Sequence, residues 1–241
     1  NQSIQPKPEE HWITKAIFVP HLLAISKRLK AECTEKIFLS FSLACIYQAQ
    51  SDYFQAEELF LEVLKINERV HGRNSYKLLD TINHLSRLYR SLNQLDKAKE
   101  YSERSLNISK RALGEDHVTT AVAMGDLGSV YRLRGEHSKA FELYKKVAEI
   151  NEANLEPSHP QMTISLSRVG DLLKSMGKYE KALPFYEKTL KIRERTLAPG
   201  HVSIASALHD LGILYQLLGR FDDAKALYNR ALKIDKEVFG E

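Results

Sequence analysis

A period of 42 residues governs this chain. Alanine stands at Ala56, Ala98, Ala140, Ala182 and Ala224, each 42 residues after the last. Nine residues ahead of these come Tyr47, Tyr89, Tyr131, Leu173 and Tyr215, and three residues before those the small Ala44, Ser86, Gly128, Gly170 and Gly212. Four residues after the alanines stand Phe60, Ser102, Tyr144, Tyr186 and Tyr228, and ten after them Ile66, Ile108, Ile150, Ile192 and Ile234. Five copies in one register mean one supersecondary unit stacked on itself, because such a unit cannot bury its apolar face alone.

Each unit reads as two helices. Leu208, Leu211, Gly212, Leu214 and Tyr215 fall at helical spacing in the first, and Ala224, Leu227, Tyr228, Ala231, Leu232 and Ile234 in the second. Gly135, Gly177 and Gly219 mark the turn between them, with Asn93 in the equivalent place of the second unit. The spacing predicts first helices at 35–50, 75–92, 117–134, 159–176 and 201–218, and second helices at 53–71, 95–113, 137–155, 179–197 and 221–239. The small residue lets the paired helices approach, and the aromatics fill the space between them. Strands of alternating residues, which a propeller needs, are absent, and HEAT repeats lack this spaced Gly, Tyr and Ala.

The residues that carry this pattern resemble a known family. Leu127-Gly128-Ser129-Val130-Tyr131 and Leu211-Gly212-Ile213-Leu214-Tyr215 match one half of the tetratricopeptide signature, and Ala56 to Phe60 and Ala140 to Tyr144 the other. The standard unit has about 34 residues. The longer unit here, with Leu113-Gly114-Glu115-Asp116-His117 and Leu197-Ala198-Pro199-Gly200-His201 between repeats, is similar to the kinesin-light-chain class. The resemblance implies an all-α fold, a right-handed α-solenoid of five helix-turn-helix units. They would fall at about 35–74, 75–116, 117–158, 159–200 and 201–241 within a repeat domain spanning 33–241. Residues 11–32 are in register with a second helix and are expected to form an N-terminal capping or orphan helix, kinked at Pro20. Residues 1–10, with Pro6 and Pro8, read as a linker. A chain that opens on Asn1 without methionine or signal peptide is expected to be a fragment of a longer intracellular, cytoplasmic protein.

Composition excludes several classes of function. The 241 residues are 43% apolar and 27% charged, with a net charge of +4. That balance is too mild and unclustered for nucleic acid, and exposed aromatics do not interleave the cations. No apolar run approaches the roughly 18 residues of a membrane helix, since Pro20 and His21 interrupt the longest. Cys33 and Cys45, with no Cys-x-x-Cys pair, suit a reducing compartment. Phosphate loops, H-E-x-x-H and G-x-S-x-G are absent. His117, His159 and His201 recur at the head of successive first helices, but equivalent positions in neighbouring repeats stand about 8–10 Å apart, too far to share a metal. Those histidines are expected to hydrogen-bond at the turn between repeats. No enzyme activity, cofactor or metal is expected.

A binding role remains. The resemblance implies that first helices line a concave groove through their second, fifth, ninth and twelfth positions, counting the small residue as the eighth. The twelfth positions carry Arg90, Arg132 and Lys174 in consecutive repeats, with Arg87 one turn from Arg90. Guanidinium groups hold carboxylates in bidentate fashion, so this row suits an acidic linear segment. Phe38 and Phe41 offer an apolar anchor, and Asn83 and His209 complete the expected partner-binding set. The chain therefore reads as a scaffold or adaptor that docks a protein or peptide. The alternative is a sensor or autoinhibitory array of a larger signalling nucleotide hydrolase, and a third reading is self-association through an uncapped end carrying Leu232, Val238 and Phe239.

Overall fold

In the computed structural model, residues 34–240 are described, together with Ala24. The expected linker and, Ala24 apart, the expected N-terminal helix with Pro20 lie outside the described residues, as does Cys33. Residues 34–240 form ten α-helices in pairs: α1 (Thr34–Ala49), α2 (Tyr53–His71), α3 (Leu79–Ser91), α4 (Leu95–Leu113), α5 (Val118–Leu133), α6 (His137–Asn154), α7 (Pro160–Ser175), α8 (Tyr179–Thr196), α9 (Val202–Leu217) and α10 (Phe221–Phe239). These spans agree with the sequence pattern to within a residue or so, with one difference. The helix expected to begin at 75 opens as a 3-10 turn, Tyr76–Leu78, whose first N–H groups are met by Ser75: its Oγ accepts from the Lys77 amide at 3.4 Å.

The described residues fall into two compact units, one running to Ala112 and the other starting at Leu113. In the first, Leu43, Ala44, Ala56, Phe60, Ile82, Leu85 and Leu88 are fully buried. In the second, Leu166, Val169, Leu172, Leu208 and Leu214 join Tyr144 and Tyr186 in one continuous core. Burying a side chain of this size contributes roughly 1.5–3 kcal/mol, so the recurring apolar positions account for the stacking.

Within each pair of helices the decisive contact is between the eighth residue and the aromatic sixteen positions on. A Cβ placed on Gly128 would lie 2.7 Å from the Tyr144 ring, on Gly170 2.9 Å from that of Tyr186, and on Gly212 2.5 Å from that of Tyr228. Each ring therefore lies directly against backbone. In the first pair Ala44 and the smaller Phe60 hold these positions, both fully buried. In the second there is no ring: Ser86 and Ser102 are buried with their hydroxyl oxygens 2.5 Å apart, and Ser86 Oγ also donates to the Ala98 carbonyl at 3.2 Å. The two positions vary together because they fill one space.

The turns are equally uniform. Ser51, Asn93, Gly135, Gly177 and Gly219 all adopt positive φ, between 56° and 77°. The next residue's amide reaches back to the carbonyl of Tyr47, Tyr89, Tyr131, Leu173 or Tyr215 at 2.8–2.9 Å. That six-to-one bond closes a Schellman turn, which needs a left-handed residue and hence favours glycine.

If the glycine is required by the ring, the two substitutions must be coupled. Gly170→Ala should cost roughly 1–3 kcal/mol, as overpacking does. In a Tyr186→Ser background the same change should cost little. A double-mutant cycle read by urea denaturation measures the difference.

Candidate binding surface

The three recurring histidines have a structural use. His117, His159 and His201 cap α5, α7 and α9, each through Nδ1 accepting the amide N–H two residues on, from Thr119 at 3.1 Å, Gln161 at 3.2 Å and Ser203 at 3.1 Å. An accepting Nδ1 places the ring hydrogen on Nε2. Pro160 occupies the first turn of α7, where its missing N–H costs nothing. Among the described residues no three His, Cys, Asp or Glu side chains stand together as a metal ion would need, and no helix is long and apolar enough to cross a membrane.

The first-helix face of the first unit is built around His84. Its ring stacks on Phe60 at 5.1 Å and meets the edge of Phe41 at 5.2 Å. Nδ1 lies 2.8 Å from Gln48 Oε1, Gln48 Nε2 donates to the His84 carbonyl at 3.4 Å, and Cys45 Sγ is 4.0 Å from Nε2. Phe41 is thus half-buried in an aromatic cluster, whereas Phe38 is 71% exposed. Burial pushes the Cys45 thiol up, and Asp80 adds to the shift, so the thiol form is favoured. Asn83 Oδ1 accepts from Ser105 Oγ at 2.6 Å. Arg87 and Arg90 are half-buried and engaged within the protein.

In the second unit the tyrosines that space the helices also reach this face. Tyr144 donates to Ser129 Oγ at 3.0 Å, Tyr186 to Asp171 Oδ1, and Tyr228 to Gln216 Oε1 at 3.1 Å. Ser129 and Asp171 hold the ninth position and Gln216 the twelfth, so core rings deliver their hydroxyls to expected binding positions. Burial, then the bond to Asp171, pushes the Tyr186 phenol up. Lys174 lies 3.6 Å from Asp171 and over the Tyr186 ring at 5.1 Å, which answers part of its charge. Arg132 is exposed on the last turn of α5, and the exposed His209 ring is 5.5 Å from that of Tyr228.

The sequence pattern did not single out the sixth position, which carries His84, Asp126, Arg168 and Asp210. Arg168 reaches from α7 onto α5, where its Nη1 is 2.5 Å from the point a Cβ on Gly125 would occupy. Asp126 is buried and Asp210 half-buried. Burial pushes the Asp210 carboxyl up, Lys174 offsets part of this, and Asp171 adds to it. The available signal was Gly125, a glycine in mid-helix that no turn requires.

The tetratricopeptide repeat model matches residues 37–111, 94–153 and 161–237, most of the chain. The chain belongs to the tetratricopeptide repeat family. None of the curated proteins matches it in sequence. Among solved structures it is similar to the nearly identical TPR-like repeats from a Podosopora anserina protein described as a kinesin light chain, with a TM-score of 0.76 and 23% identity over 86% of this chain and 98% of that one. BtubC (BKLC) from P. vanneervenii gives a TM-score of 0.78 and 22% identity over 98% of this chain and 94% of its own. A Rap protein in complex with competence and sporulation factor gives 0.70 and 16%, over 93% and 60%. At these identities the likeness shows the fold, which is that of kinesin-light-chain-like tetratricopeptide repeats, and repeats of this family serve in general as protein-interaction scaffolds.

The histidine caps make a direct prediction for this tetratricopeptide array. His159→Ala should destabilise the protein by about 1 kcal/mol, the usual worth of a helix cap. His159→Asn, which keeps an acceptor, should hold most of that. Thermal melts of the two variants compare them.

Proposed function

We propose that this chain is an adaptor module whose first-helix faces receive a segment of a partner protein, with acidic side chains of that segment meeting Arg87, Arg90, Arg132 and Lys174. The observation that carries the reading is a cation in the last turn of three successive first helices, Arg90 on α3, Arg132 on α5 and Lys174 on α7. Exposed Phe38 supports an apolar anchor at the first unit, with Phe41 packed in the neighbouring ring cluster. Asn83 in the first unit and His209 in the second each offer a polar group on a first helix. The Rap protein solved with a signalling factor bound offers an analogy for a peptide partner.

Because Asp171 already engages Lys174, Arg132 is the stronger electrostatic contact in the second unit. Arg132→Glu should weaken capture of the partner about five-fold, which corresponds to about 1 kcal/mol for an exposed pair. An Arg90→Glu, Arg132→Glu, Lys174→Glu variant should lose the partner, and rising salt should weaken binding to the natural chain. Affinity capture from cell extract, with circular dichroism to establish that both variants fold, makes the comparison. Retention of the same partners by the triple variant would overturn the electrostatic reading.

A further inference from the structure

The fourth repeat departs from its sisters at the eleventh position, where Leu173 stands in place of the tyrosine found at 47, 89, 131 and 215. In three of the sister repeats a cation covers that ring. Lys97 Nζ lies 4.7 Å from the Tyr89 centroid, Lys139 Nζ 5.2 Å from that of Tyr131, and the Arg220 guanidinium 4.3 Å from that of Tyr215. Two registers are used: the lysines follow the tyrosine by eight residues and the arginine by five. The fourth repeat has a lysine in both, Lys178 and Lys181, and no ring beneath either.

Where the ring is missing there is a cavity of about 170 Å³. Leu173, Met176 and Phe141 supply its apolar lining, and Lys178, Lys181, Ser138 and Glu142 its polar lining. The hydroxyl chemistry has changed with the ring. Tyr89 donates to Glu57 at 2.7 Å, whereas the residue in the register of Glu57 facing Leu173 is Phe141. The counter-charges have gone as well. Glu136 answers Lys139 at 2.6 Å and Asp223 answers Arg220 at 2.8 Å, but neither Lys178 nor Lys181 forms an ion pair among the described residues.

We propose that this cavity is a slot for an aromatic side chain of a partner protein, phenylalanine or tyrosine, with a neighbouring carboxylate of the partner held by Lys178 and Lys181. The size fits one ring, since an apolar cavity of roughly 150 Å³ holds benzene. A ring inserted there regains the cation-covered arrangement that the sister repeats make internally. Two lysines outnumber the single carboxylate of Glu142 in the lining, and neither forms an ion pair with it, which favours a partner in which Asp or Glu follows the aromatic residue. The slot is formed by the end of α7 and the starts of α6 and α8, apart from the second, fifth, ninth and twelfth positions, so it stands or falls independently of the first-helix reading.

The test is a titration of the whole chain with N-acetyl-phenylalanyl-glutamate amide, followed by the methyl resonances of Met176 and Leu173. Saturable shifts of those methyls are expected, with none from the alanyl analogue. The Leu173→Tyr variant fills the slot from within and should melt no lower than the natural chain while showing no saturable Met176 shift. Lys178→Glu with Lys181→Glu, both on exposed residues, should weaken the phenylalanyl probe about ten-fold and leave the melt unchanged. No saturable shift in the natural chain, or equal shifts from the alanyl probe or in the Leu173→Tyr variant, would overturn the proposal. Should Leu173→Tyr fail to fold, the lysine variant decides: undiminished binding there would also overturn it.

Discussion

In three of the five hairpins the helices come together where an aromatic ring rests on backbone that has no side chain to hold it off. Gly128 under Tyr144, Gly170 under Tyr186 and Gly212 under Tyr228 set the distance between first and second helix. The ring supplies buried area that neither helix could find alone, and the glycine removes the atom that would prevent it. The left-handed turn then has to return the chain at that separation, which the repeated six-to-one backbone bond does. Where the ring is absent, at Ser102, the facing residue grows to Ser86 and the two hydroxyls bond in the space left over.

Much of this was legible in the residues. The 42-residue period placed ten helices because the apolar face of each must recur whenever its neighbour does. The start of the second repeat differs, since Ser75 leads into a 3-10 turn where histidine leads directly into helix in later repeats. That the recurring histidines hydrogen-bond at the heads of the first helices was readable from their register; that they do so as caps through Nδ1 was not, because the usual capping residues are Ser, Thr, Asp and Asn. The turn residue Ser51 was likewise hidden, as serine rarely adopts positive φ.

The face offered to a partner was less legible than the core. Register identifies which side chains point outward, but not which already have partners. Lys174 and Arg132 look equivalent in sequence, yet one is engaged by Asp171 and lies over Tyr186 while the other is exposed. The sixth position was given no role because its charge does not persist: His84 is followed by Asp126, Arg168 and Asp210, which alternate in sign. Leu173 was visible as an exception to the tyrosine row, but only the lysines around the space it leaves give the exception meaning.

The tyrosine hydroxyls that emerge at Ser129, Asp171 and Gln216 tie two properties of this module together. Replacing any of these three residues alters the proposed binding face, and it also strands a phenol that was bonded from inside. The ninth and twelfth positions can therefore drift only as far as the tyrosine behind them tolerates, and the fifth is held in part from inside, by Ser105 at Asn83 and by the ring cluster at Phe41. Diversification of binding preference in an array built this way would run fastest along the second positions, which have no such tether. The residues that change least at the surface would be those answering to the interior.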